Sequence, residues 1–165
     1  MHASSSSPED RGGRWVVAQF VLMALVLVGG WLPPGWPGAA DRVLPSIGAV
    51  CSLLGLLLAA WAWRTLERAA TAYPRPREDG RLIETGPYEY VRHPIYSAGL
   101  LFFAGYALAT SPTAFVPLLA LALLWRNKAA LEEELLAERY EYRDYRARVP
   151  GAFVPRPGSA SPSVD

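Results

Sequence analysis

Hydrophobic residues in this chain are gathered into blocks, and that clustering constrains the fold more than any other feature of the sequence. Four apolar stretches follow one another: Trp15–Leu32, Leu44–Trp63, Ile95–Thr110 and Pro112–Trp125. The first two reach the roughly 20 residues a helix needs to cross the hydrocarbon core of a bilayer. Trp15, Trp31, Trp36, Trp61 and Trp63 stand at or near their ends, where aromatic rings anchor spans at the interface. Pro33-Pro34-Gly35-Trp36-Pro37-Gly38 breaks the helix between them and makes a short connector. The last two stretches are shorter and are separated only by Ser111-Pro112, which reads as a tight helical hairpin. A re-entrant hairpin is the alternative, and either form returns the chain to the side from which it entered. The expectation is an all-α integral-membrane bundle of about four transmembrane helices, with a C-terminal helical hairpin and a cytoplasmic tail helix.

With 165 residues, 52% of them hydrophobic and 19% charged, the chain suits one membrane domain, expected over residues 14–157. The Ser- and Gly-rich residues 1–13 are expected to be disordered, and residues 158–165 to form a flexible tail. A signal peptide ending near Gly38-Ala39-Ala40 is the rival reading of the N-terminus. The apolar run is longer than a usual signal core and the small residues lie well beyond it, so a retained helix is preferred. A net charge of +1 gives no reason to expect a nucleic-acid partner. Cys51, the single cysteine, excludes an intrachain disulfide and a cysteine-based zinc cluster, and inside an apolar block it reads as an inert thiol.

Positive charge sets the expected orientation. Arg64, Arg68, Arg75, Arg77, Arg81 and Arg92 follow the second block, and Arg126, Lys128, Arg139, Arg143, Arg146, Arg148 and Arg156 follow the fourth. The first connector carries only Arg42 and the hairpin tip none. Both termini and the long polar loop are therefore expected in the cytoplasm, in the inner membrane of a bacterium.

Side chains with chemical potential occur in two places on that face. The first is the segment from Leu82 to Tyr96, where Gly86-Pro87 marks a turn and Pro94 fits the first turn of the third helix. Arg92 and His93 then stand at a helix start with Tyr88 and Tyr96 nearby. Free N–H groups, an arginine and an imidazole suit a ligand carboxylate, and the aromatic rings suit a flat base or a sulfonium. Equally, Arg92 and His93 read as interface residues meeting lipid headgroups. The second place is the tail from Arg126 to Arg148. Lys128 and Glu132 share a helix face, and Glu132-Glu133-Glu134 forms an acidic step. Beyond it Tyr140, Tyr142 and Tyr145 alternate with Arg139, Arg143 and Arg146, a pattern that usually marks a solvated or membrane-surface helix.

Gly86-Pro87-Tyr88-x-x-x-Arg92-His93-Pro94-x-Tyr96 resembles the signature of the isoprenylcysteine carboxyl methyltransferases and their phospholipid methyltransferase relatives. Glu132-Glu133-x-x-Leu136 and Tyr142-x-x-Tyr145-x-x-x-Val149-Pro150 are similar to its second half, so the likeness spans roughly Leu82 to Pro157. The resemblance implies that Leu82, Ile83, Tyr88, Arg92, His93, Pro94 and Tyr96 line a site for S-adenosylmethionine, completed by Glu132. It also implies an amphiphilic, lipid-like substrate entering from the surrounding membrane lipids. Lys128 stands where the family commonly has an arginine facing the substrate carboxylate, with Arg126 close by. Lysine does not make arginine's bidentate contact. The segment between Leu136 and Tyr142 is about two residues shorter than usual, and Gly80 replaces a histidine some members carry.

Methyl transfer from a sulfonium is an in-line displacement, so positioning and electrostatics supply most of the acceleration. A carboxylate acceptor, as in isoprenylcysteine O-methylation, needs no base; an amine acceptor must lose a proton, to Glu132, Glu133 or a water. No metal is required. A sterol-reductase-like enzyme using NADPH shares the Arg-His-x-x-Tyr element but needs more helices than this chain can make. A non-enzymatic membrane scaffold is the remaining alternative.

Overall fold

A computed structural model of the chain describes residues 13–66, 82–139 and 142–156. Arg68, Arg75, Arg77, Gly80, Arg81 and Tyr140 lie outside the described residues, as do most of the expected N-terminal tail and all of the C-terminal one. The described residues form five helices: α1 (Gly13–Gly29), α2 (Ala40–Leu66), α3 (Pro94–Ala109), α4 (Phe115–Arg139) and α5 (Tyr142–Arg148). Short 3₁₀ turns occupy Gly86–Glu89 and Pro112–Ala114, and no strand occurs among the described residues.

The four apolar blocks are the four long helices. Gly13, grouped by composition with the tail, is the first residue of α1. With 27 residues, α2 is about 40 Å long, more than the thickness of a hydrocarbon core. It and the stretch Pro112–Glu138 are long and apolar enough to cross a membrane, whereas α1 and α3 are shorter apolar helices. The protein is a membrane helical bundle. Its apolar side chains point outward: Val50, Leu53, Leu54, Leu56 and Leu57 on α2, and Val17, Phe20 and Val21 on α1, are all exposed to the surroundings that lipid fills.

What faces inward on α2 is small. Gly48, Gly55 and Ala62, seven residues apart, are its buried positions, and they let the backbones of α2 and α3 approach closely, the usual basis of helix association in lipid. A Cβ at Gly48 would lie 2.4 Å from the Gly105 carbonyl oxygen, and one at Gly105 would lie 2.5 Å from the Ser52 nitrogen. Ser52 Oγ donates to the Phe102 carbonyl across the same seam at 3.1 Å. Gly48→Leu is therefore expected to force the pair apart, lowering stability by about 1–3 kcal/mol or more. Thermal unfolding in detergent should show the loss, with lipid-facing Leu57→Ala as a near-neutral comparison.

The short turn expected at Ser111-Pro112 is present, but the arms of the hairpin stand apart. Whereas α3 packs chiefly on α2, α4 packs chiefly on α1. Large side chains cause the separation: Val26, Phe103, Leu118, Leu121 and Trp125 form the buried core between the helices. The Trp125 ring lies over Gly99, where a Cβ would come within 2.6 Å of it. At the hairpin tip the connector after α1 is fastened down. Ser111 Oγ lies 2.8 Å from both the Leu32 and Pro34 carbonyls, and Thr113 Oγ1 donates to the Pro33 carbonyl. The opposite end of the bundle carries the polar residues.

Candidate functional site

Two local features bring the segment before α3 into place. Gly86 adopts φ 63°, a left-handed conformation suited to glycine, and its N–H donates to Glu89 Oε1 at 3.0 Å, closing the turn. Pro94 opens α3, as its missing N–H favours, and leaves His93 as the residue capping the helix. From the other side α4 continues without a break from its apolar half through Trp125 to Arg139. Helical spacing aligns Trp125, Lys128, Ala129, Glu132 and Glu133 along it. The start of α3 and the end of α4 therefore meet at one face of the bundle.

Their meeting is a network of charge-assisted hydrogen bonds. Arg92 Nε donates to Glu133 Oε1 at 2.8 Å, and His93 Nε2 lies 3.0 Å from the same oxygen. Tyr96 donates its hydroxyl to Glu132 Oε1 at 2.7 Å, and His93 Nδ1 lies 3.7 Å from Glu132 Oε2. The imidazole thus sits between two carboxylates. The rings of His93 and Tyr96 stack at 5.7 Å, and those of Tyr96 and Trp125 at 5.4 Å, forming an aromatic column beside the acidic pair. Lys128 is next along the column: its ammonium lies 5.5 Å from the centre of the Tyr96 ring, and only 1% of the residue is exposed.

The C-terminal segment closes over this network. Arg92 Nη1 donates to the Val149 carbonyl at 2.7 Å, and the backbone N–H groups of Arg92 and His93 donate to the Gly151 and Ala152 carbonyls. Ser97 Oγ lies 2.6 Å from the Phe153 carbonyl oxygen. The Arg92 and His93 amides are thus taken by residues 149–153, which return along them just before the start of α3. Arg92, too, is turned inward to Glu133 and Val149.

The tail is not the solvated surface helix its tyrosine–arginine alternation suggested. Tyr142 and Tyr145, each 2% exposed, pack with Val149, Leu82 and Leu136. Their spacing of three and four residues places them on one face of α5, with the arginines on the other. Tyr145 donates to the Tyr88 carbonyl at 2.7 Å. Burial pushes the phenols of Tyr88, Tyr142 and Tyr145 up from their ordinary range, the nearby Glu132 adding to it for Tyr88 and Glu133 for Tyr142, so all three stay neutral. Exposed Arg146 approaches Glu133 Oε2 at 3.8 Å, and Arg148 pairs with Glu84.

Of the residues singled out from sequence, Arg92, His93, Tyr96, Lys128, Glu132 and Glu133 come together. Tyr88 and Pro94 are buried beside them, and Leu82 and Ile83 are half-buried in the approach. Arg126 is exposed and outside the cluster, because two residues along a helix carry it to the other side from Lys128. One residue went unremarked. Gln19, one turn after Trp15 in the first apolar block, is buried and reaches Lys128; its signal was a lone carboxamide among apolar neighbours.

The sequence is similar to those of two metal-resistance proteins. The nickel-cobalt-cadmium resistance protein NccN of Alcaligenes xylosoxydans xylosoxydans is 31% identical over 150 residues, covering 88% of this chain and 65% of that protein. The cobalt-zinc-cadmium resistance protein CzcN of Cupriavidus metallidurans is likewise 31% identical over 150 residues, covering 88% of this chain and 64% of its own length. The chain therefore spans a little under two thirds of these relatives. The phospholipid methyltransferase family model matches residues 44–143, from α2 into α5, a stretch that holds Arg92, His93, Tyr96, Lys128, Glu132 and Glu133. A membrane bundle whose third and fourth helices join Arg92, His93, Tyr96, Glu132 and Glu133 at one face, over the stretch that the model covers, belongs to the phospholipid methyltransferase family.

Proposed function

We propose that the protein transfers the methyl group of S-adenosylmethionine to the headgroup of a lipid-like acceptor at the cytoplasmic face of the membrane. The observation that carries this reading is the network joining His93 and Tyr96 at the start of α3 to Glu132 and Glu133 on α4. Its donor set fits the cofactor. The Glu132 carboxylate suits an ammonium or ribose hydroxyls, and the aromatic column of His93, Tyr96 and Trp125 beside it supplies an apolar wall for the rest of the molecule. When bound, S-adenosylmethionine supplies a methyl group already activated by its sulfonium. Tyr88, Pro94, Leu82 and Ile83 then wall the cofactor side, and Arg92 holds Glu133 and the returning tail in register. Arg126, being exposed, has no part in the step.

The acceptor follows from Lys128 and Glu132. A buried ammonium beside the aromatic column favours a carboxylate headgroup, as in isoprenylcysteine O-methylation, and orients it without any base. The second reading, N-methylation of a phospholipid amine, is favoured by the family's description and by Glu132, which would take the amine proton. Detergent-solubilised protein incubated with labelled S-adenosylmethionine and lipid extracts tests both. Label in a base-labile lipid ester supports the first, and label in a base-stable lipid amine supports the second. NADPH oxidation with no methyl transfer would overturn the proposal.

The orientation is proposed from the clustering of arginines after α2 and α4. In a Cys51→Ala background, a cysteine at Ser46 is expected to label from outside the cell and one at Ser159 only after permeabilisation. Outside labelling at Ser159 contradicts the orientation.

A further inference from the structure

Lys128 is the one lysine in the chain; every other Lys/Arg position is an arginine. It is also nearly fully buried, at 1% exposure, on the face of α4 that carries Glu132 one turn further on. Its ammonium donates to Gln19 Oε1 at 2.9 Å, and Trp125 Nε1 reaches the same oxygen at 3.4 Å. Because both neighbours are donors, the carboxamide must present its oxygen to them, which fixes the orientation of the Gln19 side chain. Gln19 lies on α1, 109 residues from Lys128 and outside the residues 44–143 that the family model matches. The helix that the family match leaves out therefore reaches into the network through this one side chain.

The bond has a directional consequence. A lysine head is a compact charge on a flexible stem, so its position is set by what it is tied to. Here one side is tied to Gln19, and another lies over the Tyr96 ring, whose hydroxyl holds Glu132. A carboxamide in a membrane helix commonly hydrogen-bonds across to a neighbouring helix, and here its partner is an ionisable side chain, the kind that marks a functional site when it lies within a membrane bundle. We propose that Gln19 is a positioning residue for methyl transfer: α1 fixes the Lys128 ammonium beside the Tyr96–Glu132 pair, where it orients the acceptor headgroup. The inference rests on the methyltransferase reading, and extends it to a helix outside the family match.

The test compares the full-length wild type, Gln19→Met, Gln19→Glu, Lys128→Met and the Gln19→Met/Lys128→Met double variant, with labelled S-adenosylmethionine and lipid extract. Methionine keeps the shape of glutamine and removes the oxygen. Gln19→Met is expected to lower transfer about tenfold or more, with the KM for S-adenosylmethionine and the affinity and stoichiometry of S-adenosylhomocysteine within about twofold of wild type. Added to Lys128→Met, it should cost less than about twofold further, because both act through one group. Lys128 being the only lysine, acylation by an amine-directed ester, mapped by mass spectrometry, reports its position without any acceptor. Labelling of Lys128 should rise about fivefold or more in Gln19→Met, as the ammonium deprived of this acceptor turns toward water, and stay near wild type in Gln19→Glu, which keeps an accepting oxygen. Wild-type acylation in Gln19→Met, equal acylation in the Met and Glu variants, or transfer within about twofold of wild type overturns the inference and leaves the methyltransferase reading intact. Loss of S-adenosylhomocysteine binding in Gln19→Met makes Gln19 a packing residue and also overturns it. If the wild type binds S-adenosylhomocysteine without detectable transfer, the acylation result decides. Neither binding nor transfer in the wild type overturns the methyltransferase reading and this inference with it.

Discussion

Glu133→Ala is expected to cost about 3–5 kcal/mol, the range for removing one partner of a buried ion pair. The substitution leaves Arg92 Nε, 2.8 Å away, and the His93 ring, 3.0 Å away, without their shared acceptor in a region closed off by residues 149–153. For a protein of ordinary stability, about 5–15 kcal/mol, that is roughly a fifth or more of the total. Unfolding monitored by circular dichroism in detergent, or by thermal shift, reads the loss directly. Arg92→Ala should be similarly damaging, because it also releases the Val149 carbonyl. The double variant should fall well short of the sum, since the second substitution removes a charge the first has already stranded. Additive losses would mean that the pair is not coupled as its geometry requires. Glu133→Gln, which keeps the shape and one acceptor oxygen, should cost less than alanine.

The second large effect is on ligand affinity. His93→Ala and Glu132→Gln are each expected to weaken S-adenosylhomocysteine binding about tenfold or more, the equivalent of about 1.5–3 kcal/mol for a hydrogen bond to a charged group. The two residues come from different helices, but Tyr96 stacks on one and bonds the other. Their effects on a shared ligand should therefore be less than additive. Arg143→Ala, on the exposed face of α5, should leave binding unchanged. Calorimetric titration of the four proteins and the double variant measures this. Equal losses at Arg143 and His93 would contradict the assignment of the site.

Much of this arrangement was legible in the sequence, and the parts that were not share a physical cause. Block length and apolarity located α1, α2, α3 and the start of α4 within a few residues, because a membrane helix must satisfy all its backbone groups internally and so announces itself as an unbroken apolar run, whereas α4 continues past Trp125 through the polar tail to Arg139. Pro94 marked the start of α3, and the four-residue step from Lys128 to Glu132 put both on one face of α4. Contacts between distant segments were invisible. Nothing local to Val149–Phe153 says that it will run back along Arg92 and His93, and nothing near Gln19 names Lys128 as its partner. The burial of α5 was readable in part. Tyr142, Tyr145 and Val149 have the helical spacing of a buried face, but the arginines between them carry the opposite signal of a solvated one. The splaying of α3 from α4 depends on the bulk of Phe103 and Trp125 and on the small residues of α2, which only packing reveals.

The central claim, that the face formed by α3 and α4 is an S-adenosylmethionine site, is tested most directly by one titration. S-adenosylhomocysteine added to the purified, detergent-solubilised protein should bind saturably with a stoichiometry of about one and raise the unfolding temperature in proportion to the logarithm of its concentration. No saturable binding, or stabilisation by NADPH in its place, would contradict it.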